Sequence, residues 1–203
     1  MDWAEQHLAE LFNGRDRERA IVGAELLSAK LENLLSAFMT GPPDLVAKLL
    51  NAEKNAYALL GGFRARIDLC EALAILPEKT AADLRLIAMI RNRFAHRLDY
   101  TFDTQEIRNH IAKLHVAKIV NATPGPLAPR TAFSATAMER FWQLQVIRDA
   151  VVGGRRPEQP IEIDSAFWTN ENGLTIGMPG HKVTLHTQLK IKKTGEQDAV
   201  VTL

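Results

Sequence analysis

Near the amino terminus, the apolar residues recur every three or four positions, and this spacing restricts the fold more than any other feature. Between residues 16 and 39 they are Ile21, Ala24, Leu27, Leu31, Leu34, Leu35 and Phe38. Such residues share one side of a helix, and charged residues fall mainly beside or opposite them. The helix is predicted to end at Gly41-Pro42-Pro43, because proline cannot donate to the helical ladder and disfavours the α region for the residue before it.

Five further segments show the helical period. They span residues 44–51, 63–76, 80–96, 104–114 and 131–152. Thr80 and Thr104 are candidate N-caps, and Asp83 stands three residues after Thr80, as in a capping box. The sequence therefore predicts a mainly α fold, an up-and-down helical bundle of about six to seven helices.

Beyond Gly154 the period of the apolar residues changes to two. The alternating apolar positions are Val183, Leu185, Thr187, Leu189 and Ile191, and before them Ile161 and Ile163. Alternation of this kind is typical of a half-buried strand. We therefore predict a helical domain over residues 1–154 and a C-terminal extension over 155–203 that forms a small β hairpin-like element.

The charge balance argues against a general attraction of the chain to nucleic acids or to anionic membranes. The sequence has 25 Lys and Arg against 24 Asp and Glu, a formal net charge of +1. Direct DNA binding is therefore not expected. The polar amino terminus lacks the regions of a signal peptide, and no stretch is long enough to span a bilayer, so a cytoplasmic location is expected.

No cofactor and no metal site is expected from the motifs. Cys70 lies in an apolar helical segment and is predicted to be a small buried hydrophobe. His110 and His115 are five residues apart, which is not the i,i+4 spacing of a helical zinc pair. The sequence contains no glycine-rich phosphate loop after a strand and no serine nucleophile elbow.

Arg91, Asn92 and His96 close an apolar helix, and two interpretations of them remain open. In a ribonuclease, His96 would transfer the proton of the ribose 2′-hydroxyl, Arg91 would hold the phosphate oxygens and Asn92 would orient one partner. In a structural role, Arg91 would meet a carboxylate and His96 would lie at the negative helix end. Five helical steps separate the two side chains by about 140°, which favours the structural role.

A network of ions between helices is the second candidate site. Its predicted members are Glu25, Glu32, Arg66, Asp68 and Arg91. Arg91 is expected to reach one of the three carboxylates, and Arg66 is expected to reach Glu25 or Glu32. Such a network would be as easily structural as functional.

Three segments in this order resemble the mannitol operon repressor family. The first is RERAIVGAELL at 17–27 with LENLL at 31–35, the second RARIDLCEALAIL at 64–76 after a Gly-Gly-Phe turn, and the third LRLIAMIRNRFAH at 84–96. The resemblance covers roughly residues 15–120. It implies an all-helical transcriptional regulator of sugar-alcohol uptake that lacks a DNA-binding motif and acts through a protein partner, such as a transcription factor. A homodimer is expected.

The third segment also resembles the HEPN domains, whose signature is an arginine followed by four to six residues and a histidine. Active members of that group are metal-independent endoribonucleases that pair two copies of the motif across a dimer. This resemblance implies that Arg91, Asn92 and His96 are catalytic and that RNA is the substrate. A HEPN-like endoribonuclease, or an inactive relative of one, is therefore the alternative hypothesis.

Overall fold

A computed structural model describes residues 3–51, 58–115 and 128–153, together with the backbone of four short strands in the C-terminal part of the chain. The chain divides into two compact units, Met1–Ile161 and Glu162–Leu203. The division into a domain over 1–154 and an extension over 155–203 stays a prediction.

The first unit is a bundle of helices, as predicted. Its described helices are α1 (Trp3–Asn13), α2 (Asp16–Phe38), α3 (Pro43–Leu50), α4 (Phe63–Ala72), α5 (Glu78–His96), α6 (Gln105–Ile111) and α7 (Pro129–Val152). The long helix α2 ends at Phe38, shortly before the predicted stop at Gly41-Pro42-Pro43, and Met39 already has an extended conformation. None of the described helices is both long and apolar enough to cross a membrane.

The helix α2 is the centre of the hydrophobic core. It packs against α1, α3, α4, α5 and α7. Its Gly23 permits the close approach of two neighbours, because a Cβ there would lie 3.1 Å from a ring carbon of Phe133 and 3.2 Å from a methyl carbon of Leu11. The rings of Phe94, Phe102 and Phe133 lie in a row, tilted relative to one another, with neighbouring centroids 5.1 Å apart. This row of aromatic rings joins α5 and α7 beside α2.

The helix α4 ends four residues earlier than the predicted boundary at residue 76. Ala74 has a φ of 53°, in the left-handed region, and the N–H groups of Ile75 and Leu76 both donate to the carbonyl of Cys70. The spacing of the apolar residues could not reveal this ending. Ile75 and Leu76 are buried although they lie outside the helix, so they continue its apolar pattern. An alanine in the left-handed region costs about 1–2 kcal/mol, which the burial of these two side chains offsets.

The predicted cap at Thr80 is wrong. Helix α5 begins at Glu78, after Pro77, and the Thr80 hydroxyl donates to Oε1 of Gln143 over 3.0 Å. Asp83 likewise faces the interior, where it binds Arg140. A capping pattern and a contact between helices use the same residue types, so the sequence pattern alone was ambiguous. Thr104 does stand at the N-cap position of α6, although its side chain makes no capping hydrogen bond.

The second unit contains a four-stranded antiparallel sheet, where a hairpin-like element was predicted. The strands β1 (Ala166–Thr169), β2 (Ile176–Gly177), β3 (Leu189–Lys192) and β4 (Ala199–Val201) lie in the order β2-β1-β3-β4. Phe167 pairs with Lys192 and Ile191 with Ala199. The alternating positions 189 and 191 fall in β3, whereas the positions at 161–163 and 183–187 lie outside the described residues.

Candidate functional site

Helix α5 carries the Arg91–His96 segment and remains regular to its last residue, His96. Its inner side is fixed by the fully buried side chains of Leu84, Ile87, Ile90 and Phe94. Because the helix does not unwind before His96, Arg91 and His96 leave it about 140° apart. Within one chain, the two groups therefore do not converge on a common point.

Arg91 binds a carboxylate of α2. Its Nη2 donates to Oε1 of Glu25 over 2.9 Å, and its Nη1 donates to Oδ1 of Asn92 over 3.3 Å. One turn further along α5, Nη2 of Arg17 donates to the carbonyl of Ala95 over 3.3 Å. These contacts connect α2 to the end of α5. The Arg91 side chain nevertheless keeps 38% of its surface exposed, so part of the guanidinium remains accessible.

Asn92 and His96 lie on the outward side of α5, and both are exposed. The last turn of the helix is closed by the backbone, because the N–H of Arg97 donates to the carbonyl of Arg93 over 2.9 Å. No described residue forms a hydrogen bond with the His96 imidazole. His96 therefore lies in the last turn, where a capping role was predicted for it, but it contacts solvent there.

Arg66 is buried, and all five of its N–H donors form hydrogen bonds within the chain. Its Nε donates to the carbonyl of Leu60, its Nη1 to the carbonyl and hydroxyl of Ser28, and its Nη2 to Leu50 O and Glu32 Oε2, all within 3.0 Å. Only 6% of the side chain is exposed. One guanidinium thus holds α2, the end of α3 and the residue before the Gly61-Gly62 break against α4.

Asp68 belongs to a different cluster from the other predicted network members. Its Oδ1 accepts from Nη2 of Arg85 over 2.6 Å, and Arg64 lies 3.4 Å away on the other oxygen. Arg85 also binds Glu71, and its hydrogen bonds lower the pKa of both the Asp68 and the Glu71 carboxyl groups. The five residues therefore do not form one network, because Asp68 lies on the side of α4 that faces Arg85.

A buried polar cluster between α5 and α7 was missed by the sequence analysis. Arg140 donates to Oδ2 of Asp83 through Nε over 3.1 Å and through Nη2 over 2.8 Å, and it also donates to Gln143 over 2.6 Å. The Asp83 and Arg140 side chains are 1% and 7% exposed. Burial raises the pKa of the neighbouring Glu139 carboxyl group. The available signal was the position of Arg140 within the apolar stripe of α7, seven residues after Phe133.

Asp83 also receives a backbone donor, because the N–H of His115 lies 3.0 Å from its Oδ1. The buried pair is thus hydrogen-bonded on both carboxylate oxygens, which is the condition under which a buried ion pair is tolerated. Among the described residues, no group of three or more histidines, cysteines or carboxylates has the arrangement of a metal site. The cluster is therefore explained by the packing of α5 on α7.

The comparisons with known proteins concern the fold. No protein-family model and no curated protein matches the sequence. A chain of the X-ray structure of the MtlR-HPr complex from Escherichia coli matches with a TM-score of 0.55 and 19% identity, over 70% of this chain and 99% of that chain. MtlR is the mannitol operon repressor. The present chain therefore has a mannitol operon repressor-like fold, as the three sequence segments predicted.

Proposed function

We propose that this protein is a regulator of the mannitol operon repressor type that acts by binding another protein. The observation that carries the proposal is the shared fold, which extends over 99% of the chain of a repressor whose structure was solved with the protein HPr. The balanced charge of the sequence agrees with a protein partner better than with direct contact to DNA. An HPr protein is the first partner to test, and a transcription factor is the second.

The outward side of α5 is the surface we propose for docking, and we define it by Met89, Asn92 and His96 with Arg91 at its edge. Asn92 and His96 offer donors that no described residue uses, and Met89 adds an exposed thioether, a group common at adaptable binding surfaces.

The three arginines of α5 are already paired within the chain. Glu25 binds Arg91, Glu106 binds Arg93, and Asp68 and Glu71 bind Arg85. These pairs leave little net positive charge, whereas binding to a nucleic acid depends on uncompensated cations. The pairing therefore favours a protein as the partner. It also holds the guanidinium groups in defined positions before binding, which reduces the entropy lost on docking.

Titration calorimetry with the purified full chain and the HPr protein of the same organism tests the proposal. We expect binding, and we expect Arg91→Ala to weaken it by about tenfold, since interface arginines often contribute 1 kcal/mol or more. Arg148→Ala is the matched control, because Arg148 is 42% exposed and also pairs with a neighbouring carboxylate, Asp149. Absence of binding to HPr and to candidate transcription factors, together with salt-sensitive binding to operator DNA, would refute the indirect mechanism.

The remaining features of the proposal are a homodimer and a cytoplasmic location. The homodimer is what the resemblance implies, and a cytoplasmic location would let the regulator meet its partner inside the cell. Sedimentation of the full chain over a range of concentrations would measure the oligomeric state. A monomer at every concentration would remove the dimer from the proposal without affecting partner binding.

The ribonuclease hypothesis receives less support from the geometry. Arg91 is paired with Glu25, and His96 leaves the helix about 140° away from it. A ribonuclease would therefore need the second motif of a partner copy. Incubation of the chain with single-stranded RNA without metal, beside His96→Ala, decides the matter. Cleavage that leaves a 2′,3′-cyclic phosphate and disappears in the variant would replace the regulator proposal with an enzyme.

A further inference from the structure

His110 of α6 is largely buried, and neither of its ring nitrogens forms a hydrogen bond with a described residue. The side chain is 16% exposed, and both Nδ1 and Nε2 are covered by the surrounding atoms. A neutral imidazole carries one donor and one acceptor, and leaving such a group unpaired in the interior costs about 1–3 kcal/mol. An apolar residue would fill this position at lower cost. The imidazole therefore needs an explanation other than packing.

The charged groups around His110 belong to the contact between α5 and α6. Glu106, one turn earlier on α6, has Oε1 at 3.9 Å from Nε2 of His110, which is longer than a hydrogen bond. That carboxylate is already held by Nε of Arg93 on α5 over 2.7 Å and by the Tyr100 hydroxyl over 2.7 Å. Lys113, just after α6, adds a further positive charge.

Asp83 of α5, which contacts the backbone just after α6, is already satisfied. Asp83 binds Arg140 of α7 and accepts from the backbone N–H of His115. It therefore has little capacity left for an imidazolium. Among the described residues, Glu106 is the carboxylate nearest to the His110 ring.

We propose that His110 is an acid-sensitive element that controls the attachment of α6 to α5. Protonation gives the buried ring a positive charge and a second N–H donor. The ring then either draws Glu106 away from Arg93 and Tyr100 or turns outward to water. In both cases the ion pair between Arg93 and Glu106, which joins the two helices, is weakened.

The pKa of His110 is lowered, which agrees with a neutral ring in the folded state. Burial is the main cause that lowers it, Glu106 acts in the opposite sense, and Lys113 and Arg93 lower it further. A lowered pKa means that the folded state prefers the neutral ring. The corresponding part of the unfolding free energy is fully present above the ordinary imidazole pKa of about 6.5 and is lost as the pH falls through the lowered value.

The effect reaches the edge of the surface proposed for docking, because Arg93 and His96 are three residues apart and are therefore neighbours on the surface of α5. If Glu106 leaves Arg93, that side of α5 gains an uncompensated positive charge. A partner bound there would then change its affinity over the same pH range. This last step rests on the proposed function, whereas the opening of α6 does not.

Nuclear magnetic resonance of the full chain between pH 7.5 and 5 tests the inference. We expect the His110 ring to titrate below its ordinary pKa, and the amide protection factors of residues 105–111 to fall about tenfold on acidification. His110→Leu should abolish that fall, and His110→Gln serves as the second variant if the leucine chain does not fold. His96→Gln, which removes an exposed imidazole from the same region, is the matched control and should keep the response.

Two results would overturn the inference. One is a fall in α6 protection that persists in His110→Leu or His110→Gln. The other is a wild-type His110 ring that titrates at or above its ordinary pKa with unchanged protection of residues 105–111. Neither result depends on whether HPr binds, so failure of the inference and failure of the proposed function remain distinguishable.

Discussion

Two arginines bind carboxylates of the same helix, and their surroundings differ completely. Arg66 binds Glu32 and Arg91 binds Glu25, two turns apart along α2. Arg66 is buried and makes five hydrogen bonds to α2, α3 and Leu60, whereas Arg91 makes two and remains partly open to solvent. Arginine has five N–H donors, so Arg66 has none to spare for a ligand, but Arg91 does.

The comparison separates the contribution of a residue to the fold from its availability to a partner. An ion pair such as Arg66–Glu32 is costly to break, because the remaining groups stay buried without partners. A half-exposed pair such as Arg91–Glu25 contributes little to stability, because water replaces the contact. The sequence motif around Arg91 therefore lies where a substitution can change binding while the fold survives.

The largest effect is expected for Arg66→Ala. The substitution leaves Glu32 without its partner, and it leaves the Leu50 and Leu60 carbonyls and Ser28 without a donor. We expect the unfolding free energy to fall by about 3–5 kcal/mol. Urea denaturation followed by circular dichroism measures it. Arg66→Lys, which keeps the charge but not the planar fork, should recover less than half. A loss below about 1 kcal/mol would show that the buried guanidinium is not essential.

The buried Asp83–Arg140 pair tests whether the stability lost on breaking a buried ion pair comes from the charge that is left unpaired. Asp83→Ala leaves Arg140 buried and uncompensated and should lower the unfolding free energy by about 3–5 kcal/mol. Replacing both residues by apolar ones, as in Asp83→Leu with Arg140→Met, should cost much less, because no charge is then left alone in the core. Denaturation of Asp83→Leu, of Arg140→Met and of the double variant gives the coupling energy. Additive losses would contradict the argument.

A smaller effect is expected for Glu139, beside that pair. Burial raises the pKa of its carboxyl group, so the folded state prefers the protonated form. Its contribution to stability is therefore fully present below the unfolded-state pKa and is lost as the pH rises through the raised value. Glu139→Gln should stabilise the protein at neutral pH and have little effect in acid. Thermal melts at pH 4 and pH 7.5 measure this, and an equal change at both would refute it.

Periodicity predicted the helices that bury a continuous stripe, and it was less informative where the backbone or a polar contact decided the structure. The end of α2 follows from its prolines, whereas the end of α4 depends on Ala74 in a left-handed conformation that no local residue type announces. The hydrogen bond of the Thr80 hydroxyl depends on Gln143, which is 63 positions away in the sequence. An isolated sequence cannot specify such a contact, because it arises only when α5 packs on α7.

The same limit applied to the candidate site. The predicted network contained residues that do make ion pairs: Glu25, Glu32, Arg66, Asp68 and Arg91. Which residue pairs with which depends on the face of α4 that packs against α2. Arg66 and Asp68 are two positions apart, so they point to different sides of α4, one toward α2 and one toward Arg85. Arg140 could have been suspected from its place among the apolar residues of α7. Its partner could not have been identified without the packing of α5.

The smallest effect on stability is expected for Arg91→Ala, and it completes the comparison with Arg66. Because the Arg91–Glu25 pair is half exposed, its loss should cost at most about 1 kcal/mol. Exchange of the two residues, as Glu25→Arg with Arg91→Glu, should restore the pair and the stability but place the carboxylate on α5. Partner binding should then remain weak although the fold is intact. If the exchanged variant bound the partner as well as the wild type, the guanidinium on α5 would have no direct role in docking.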